Sequence, residues 1–428
     1  MKKQQYSLGP FIFLTFVYFL VGFLTTINGQ FQGPLKIAFL SDAGEMKNTF
    51  TTLISFFFFL GYLLNSSAGG RWIDRYGYKT TMLRALGVMI AGLLLYDLAA
   101  YAVADFNDVR IRWATGSIPW GFVVFLLGSF LMGTSAAILQ VVINPYVSAY
   151  ELPGTGQAQR LNIVTAVNSF GTTIAPFFVT MVIFAGVSLE EVTATQLLIP
   201  FLLIAGTIAV ITGVFTQMDL PDLNSTHADA GEKLSRSIWS FRHLTLGVIA
   251  IFFYVGTEVS IGSNINLHAM ELKMGEGIPA LLATLYWGGF LVGRFASTFF
   301  RNFNPRKTLI GTTVIASLLI VISMCTENLW FLTAVGLVHS VMWSCIFTLS
   351  TQGLREYTSK ASGVFMMGVF GGAVFPVAQG FLADILGSWT FTWTIALVCE
   401  FVMLAYGLYG YKVKDEWCLA NGQRSIDN

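Results

Sequence analysis

Residues 70–79 read Gly70-Arg71-Trp72-Ile73-Asp74-Arg75-Tyr76-Gly77-Tyr78-Lys79. Arg71, Arg75, Lys79 and Asp74 crowd into this stretch, between apolar runs at 49–68 and 80–103. A helix needs roughly 20 apolar residues to cross a bilayer, and both runs meet that length. The ten residues therefore read as a tight polar turn between two membrane-spanning helices. Asp74 can pair with Arg75 or with a helix end, and Gly77 permits the sharp reversal.

The same alternation runs along the whole chain. Apolar stretches fall at about 10–39, 49–68, 80–103, 121–147, 161–186, 196–215, 245–268, 279–300, 308–326, 329–352, 361–386 and 389–411. Twelve spans are expected, making an all-α membrane protein. Composition agrees. Of 428 residues, 55% are hydrophobic and 11% charged, against about 25% charged in soluble domains. The first run follows Lys2 and Lys3 and continues to Phe39 without a small-residue cleavage site, so it reads as a span and not as a removable leader.

Basic residues divide unequally between alternate loops. Eighteen, from Lys2 and Lys3 through Arg71, Arg160, Arg236 and Arg306 to Arg424, fall on one side. Five (Lys36, Lys47, Arg110, Arg112, Lys273) fall on the other, and Arg294 lies within a span. The positive-inside rule places both termini in the cytoplasm, and an even number of spans requires them to share a side. The long polar stretch 217–243 reads as a cytoplasmic linker between a six-helix half at 1–216 and another at 244–428.

The halves look duplicated. Gly171 and Pro176 in the fifth span match Gly371 and Pro376 in the eleventh at equal spacing. Gly70-Arg71 with a basic loop to Lys79 parallels Gly293-Arg294 with a basic loop to Lys307. Duplicated halves with substrate near the midplane are a transporter pattern. Net charge of +1 gives no reason to expect a nucleic-acid partner. Cys325, Cys345, Cys399 and Cys418 lack metal-ligand spacing. No nucleophile–base constellation or nucleotide loop supports catalysis. The chain reads as a non-enzyme without catalytic or metal residues.

Residues 70–79 resemble the G-x-x-x-D-R-x-G-x-K loop of the major facilitator superfamily. That resemblance implies a conformational latch at Gly70, Asp74, Arg75, Gly77 and Lys79, made and broken as the transporter alternates. Further segments narrow the likeness: Asn144-Pro145-Tyr146, Arg160-Leu161-Asn162 with Asn168-Ser169-Phe170-Gly171, Phe253 to Ser263, Leu285-Tyr286-Trp287-Gly288-Gly289, and Gly371 to Pro376 followed by Gln379-Gly380. Together they resemble the fucose–galactose–glucose:proton symporter family, most closely its glucose/galactose branch. The resemblance implies alternating-access import of a neutral hexose into the bacterial cytoplasm through the inner membrane, by a monomer. It brings no cofactor other than a co-transported proton or sodium. Its partners are the sugar and the lipid bilayer.

One departure matters. Proton-coupled fucose symporters carry a carboxylate just after an asparagine in the first span, where this chain has Gly29 after Asn28. They carry a second one four residues before the Asn-Pro-Tyr, where this chain has Gln140. Neither residue titrates.

What remains is rich in neutral amides, which both donate and accept hydrogen bonds and so suit hydroxyl-rich substrates. Asn28 and Gln32 lie four apart, as do Gln140 and Asn144, and Thr165 and Asn168 lie three apart, so each pair shares a helix face. The resemblance implies that spans one, four, seven and ten line the cavity. Asn264, Trp287, Trp343 and Gln379 join the candidate sugar contacts; the same residues could equally bridge packed helices. Glu258 is the acid nearest the middle of a cavity span and serves as both a sugar-contact and a cation-coupling candidate. His339, at mid-depth in the tenth span, reads as a sugar contact, a proton relay or a packing histidine. Glu400 has no evident role in the sequence. An uncoupled facilitator is the alternative function, and an exporter of amphipathic compounds a weaker one.

Overall fold

The computed structural model describes residues 8–106, 108–150, 152, 157–185, 187, 191–220, 237–297, 304–354 and 357–413. Among these, eleven helices are long and apolar enough to cross a membrane, or twelve if one bent pair forms a single span. The chain divides into two compact units, Met1–Glu232 and Lys233–Asn428. Residues 221–236, most of the expected linker, lie outside the described residues.

The first unit holds α1 (Leu8–Gln30), α2 (Gly44–Ser66), α3 (Arg75–Asp105), α4 (Trp120–Asn144), α5 (Ile163–Ile183) and α6 (Ala194–Gln217). The second holds α7 (Arg242–Glu271), α8 (Ile278–Ser297), α9 (Pro305–Thr326), α10 (Leu329–His339 with Met342–Ser350), α11 (Met366–Leu386) and α12 (Thr390–Gly410). The expected first run ending at Phe39 is two helices, because the chain breaks after Gln30 and continues as a short helix at Gln32–Ala38. An antiparallel hairpin precedes α4, pairing Arg110–Trp113 with Gly116–Pro119. It is pinned by Arg110 to Asp42 at 3.0 Å and by the Ser117 amide to the Asp42 carbonyl at 2.9 Å.

Helix ends follow local chemistry. Pro305 opens α9 behind Asn304, whose side-chain oxygen accepts from the amides of Arg306 and Lys307. The helical backbone runs on past α2 and breaks at Gly77, near the start of α3, with φ 76° and ψ 171°, a region open essentially only to glycine.

Two glycine seams repeat in the units. A Cβ on Gly61 would lie 2.5 Å from the Thr134 amide, and one on Gly133 would overlap the Phe58 carbonyl. In the second unit a Cβ on Gly289 would lie 2.6 Å from the Leu337 amide, and one on Gly336 would overlap the Tyr286 carbonyl. The spacings coincide: Phe58 to Gly61 matches Tyr286 to Gly289, and Gly133-Thr134 matches Gly336-Leu337. The α2–α4 and α8–α10 seams are thus one design, backbone against backbone, as small residues permit in membrane bundles. In this register Lys79 aligns with Lys307. Gly293 falls opposite Asn65 and not opposite Gly70, so only part of the repeat read from the basic loops holds. Gly171 against the Phe19 carbonyl likewise corresponds to Gly371 against the Phe252 carbonyl.

Candidate functional site

In the first unit the predicted amides separate into distinct networks. Asn28 is buried, and its carbonyl oxygen accepts from the hydroxyls of Tyr96 and Ser129, 3.0 Å for the latter. That joins α1 to α3 and α4. Gln32 donates to Ser55 at 2.9 Å and keeps a buried carbonyl oxygen without a hydrogen-bond partner among the described residues. Gln140 is half-buried and donates to the Tyr62 hydroxyl at 2.7 Å. Tyr62 in turn hydrogen-bonds Thr25, whose own proton goes to the Val21 carbonyl, so the chain runs from α4 through α2 to α1. Asn168 donates to the Tyr18 carbonyl at 2.8 Å, tying α5 to α1. Asn144 and Thr165 are half-buried. Gln140 and Asn28, although both are candidate contacts, are anchored by different partners.

The latch is partly visible. The side chains of Arg71 and Asp74 lie outside the described residues, and Gly70 is described by its backbone alone. Arg75 is exposed and stacks 5.2 Å from the Tyr76 ring, which also takes Arg84 at 3.6 Å. Lys79 donates to the Thr216 carbonyl at 2.8 Å, placing a cation on the carbonyl end of α6.

In the second unit Asn264 is fully buried and donates to the side-chain oxygen of Gln379 at 2.9 Å. Gln379 passes the chain to the Thr392 hydroxyl at 3.0 Å. Thr257, Ser260 and Asn264, on one face of α7, each keep a buried oxygen without a hydrogen-bond partner among the described residues. Trp287 packs over Gly262. Trp343 is half-buried, its ring 6.3 Å from Tyr254 and 5.7 Å from Phe365. His268 accepts from the Trp393 indole at 3.0 Å through Nδ1, so its proton sits on Nε2 and faces Thr390.

The sequence reading named Glu258 and His339 separately and missed that they meet Glu400 in one polar group. α10 bends by 41° between His339 and Met342. The His339 carbonyl, freed by the break, accepts from the Tyr254 hydroxyl at 3.0 Å, and the Ser340 carbonyl accepts from Arg294 at 3.5 Å. His339 Nε2 lies 2.7 Å from Glu400 Oε1, with both side chains fully buried. Tyr286 reaches His339 Nδ1 at 3.2 Å and donates to the Glu258 backbone carbonyl at 3.1 Å. Arg294 and His339 lie beside Glu258, and its carboxyl group hydrogen-bonds the Tyr254 hydroxyl. Glu258, His339 and Glu400 therefore belong to one cluster built by α7, α8, α10 and α12. An acid at 400 inside an apolar run was the available signal; its partner is set by tertiary packing.

Residues 11–376 match the Major Facilitator Superfamily. The chain is 32% identical to the glucose/galactose transporter of Brucella abortus (strain 2308) over 408 residues, 93% of each protein. It is 26% identical to the L-fucose-proton symporter of Escherichia coli (strain K12), over 94% of this chain and 92% of that one. A crystal structure of the E. coli fucose:proton symporter has the same fold, with a TM-score of 0.64 at 22% identity, covering 95% of this chain and 99% of that one. A multi-pass helical chain matched over 93% of its length by such a relative is a transporter and not an enzyme. It belongs to the Major Facilitator Superfamily and, within it, to the fucose–galactose–glucose symporter family.

Proposed function

We propose that this protein imports a neutral hexose of the glucose or galactose type by alternating access, coupled to a proton or sodium. The observation that carries this reading is the match to a glucose/galactose transporter across 93% of both chains. The neutral polar groups support it, because Gln140, Asn168, Asn264 and Gln379 offer donors and acceptors without a fixed charge that would select an ionic substrate. Glu258 is proposed as the coupling carboxylate, and residues 70–79 as the latch that governs exchange between states. The working unit is proposed as a monomer in the bacterial inner membrane with both termini in the cytoplasm, an orientation the distribution of basic residues supports.

A specific observation favours a second reading, uncoupled facilitation: Gly29 and Gln140 stand where proton-coupled relatives have carboxylates. One experiment separates the two. Purified protein in liposomes is given labelled glucose, galactose or fucose with an imposed proton gradient, an imposed sodium gradient, or none. Accumulation above equilibrium under one gradient supports coupling. Equilibration alone under all conditions supports the facilitator. No uptake of any hexose would sink both.

A further inference from the structure

The break in α10 allows one assignment of protons. Tyr286 has a single hydroxyl proton, committed to the Glu258 carbonyl, which can only accept. Where the same hydroxyl meets His339 Nδ1 at 3.2 Å it must accept, so Nδ1 carries a hydrogen. Nε2 then faces Glu400 Oε1 at 2.7 Å. Two bare lone pairs do not meet at that distance in a dry site, so one more proton lies between them, on the imidazole or on the carboxyl. With it the pair is neutral; without it the pair carries one negative charge inside a membrane span, where charge is expensive.

We propose that His339 and Glu400 form a proton-binding site and that the proton they share is the one this transporter moves with its substrate. The proposal rests on the transporter reading above and goes beyond it by naming the coupling ion and placing it on α10 and α12.

Two features support more than a packing role. Glu400 Oε2 is enclosed yet makes no hydrogen bond among the described residues, a wasteful arrangement for helix glue. The pair also sits at the bend. If the proton leaves, opposed lone pairs at 2.7 Å force either the ring to turn, which forfeits the Tyr286 contact, or the two segments of α10 to shift. Occupancy and helix angle are thereby linked.

The surrounding elements are accounted for. α7 presents Tyr254 and Glu258, α8 presents Tyr286 and Arg294, and α12 presents Cys399 next to Glu400 and, further along, Tyr406, which bonds Ser350 and the His243 carbonyl. The buried face of α9 is Leu309, Thr313, Ala316, Ile320 and Ser323, without an ionisable group. Loading takes one proton from water on one side and forms one O–H or N–H bond in the pair. Release breaks that bond and returns the proton to water on the other side. Glu258 remains in the coupling path as a neighbour of His339.

The test is Glu400→Gln. Its carboxamide can still donate to His339 Nε2 but cannot release a proton, so it imitates the loaded pair. Labelled-hexose counterflow in liposomes should stay close to wild type, while accumulation under an imposed proton gradient and hexose-induced proton uptake should be lost. Glu400→Asp, which still titrates, should recover part of both. Infrared difference spectra of the purified protein should show a pH-dependent carboxyl band in wild type and in Glu258→Gln that is absent from Glu400→Gln. Undiminished accumulation and proton uptake in Glu400→Gln would overturn the proposal. So would a wild type whose carboxyl band is pH-independent, a measurement that needs no variant to fold. A wild type that exchanges no hexose would sink the sugar reading instead, and the infrared band would still decide whether the pair titrates.

Discussion

The side-chain amide of Gln140 donates to the Tyr62 hydroxyl at 2.7 Å, and that bond fixes the direction of a chain from α4 to α1. Because Thr25 gives its proton to the Val21 carbonyl, the Tyr62 proton goes to Thr25, leaving the Gln140 carbonyl oxygen for another partner. Tyr62→Phe should release the Gln140 amide and weaken hexose binding by a few-fold to about tenfold, the worth of one hydrogen bond of about 0.5–1.5 kcal/mol. Gln140→Ala should weaken it further. Counterflow titrations check this, and unchanged affinity in both variants would make the pair helix packing alone.

The α2–α3 turn yields a kinetic prediction. Gly77 has φ 76° and ψ 171°, so Gly77→Ala should strain the turn by about 1–3 kcal/mol. Asp74→Asn should leave that backbone intact. Both should slow the transport rate far more than they change hexose affinity, because the loop is proposed to time the exchange of states. Equal losses of rate and affinity in Asp74→Asn would remove it from the latch.

The glycine seams carry a stability prediction. Gly133→Ala and Gly336→Ala place a methyl against the Phe58 and Tyr286 carbonyls, with no flexible side chain to give way. Each should destabilise its unit by about 1–3 kcal/mol or more, as overpacking does. Gly206→Ala, where a Cβ would meet nothing within 4 Å, should be neutral or stabilising. Thermal unfolding in detergent separates the two groups, and a tolerated Gly336→Ala would mean that the α8–α10 contact is looser than the geometry implies.

Glu258→Gln should abolish accumulation while retaining part of the exchange, since a neutral amide of similar shape still hydrogen-bonds hydroxyls but carries no charge. Uptake with and without an imposed gradient reads both quantities. Accumulation that persists in full would take Glu258 out of the coupling path.

The spans were legible because bilayer thickness imposes one length on every helix, and Gly77 because only glycine fits that turn. The bend after His339 was not, since 329–352 is long enough and apolar enough for one span and contains no proline. The hairpin at 110–119 was hidden because ten residues between spans give too little periodicity. At the candidate site, Asn28, Gln140 and Glu258 stood out as polar residues in apolar runs. Their partners did not. Tyr62, Tyr96 and Tyr286 are grouped with the hydrophobic residues in composition, yet each brings a hydroxyl that sets the hydrogen bonding. Glu400 was plain as an acid, but its meeting with His339 depends on how α12 packs.

The repeated seams have an electrical consequence. In the register they set, Ala136 occupies the place of His339, and by the Phe19–Gly171 and Phe252–Gly371 contacts Thr25 occupies the place of Glu258. The frame is symmetrical and the ionisable chemistry is not. A membrane voltage does work only on charge that moves through it. At these matched positions the first six helices offer the field no handle, whereas the last six hold an acid and a titratable ring.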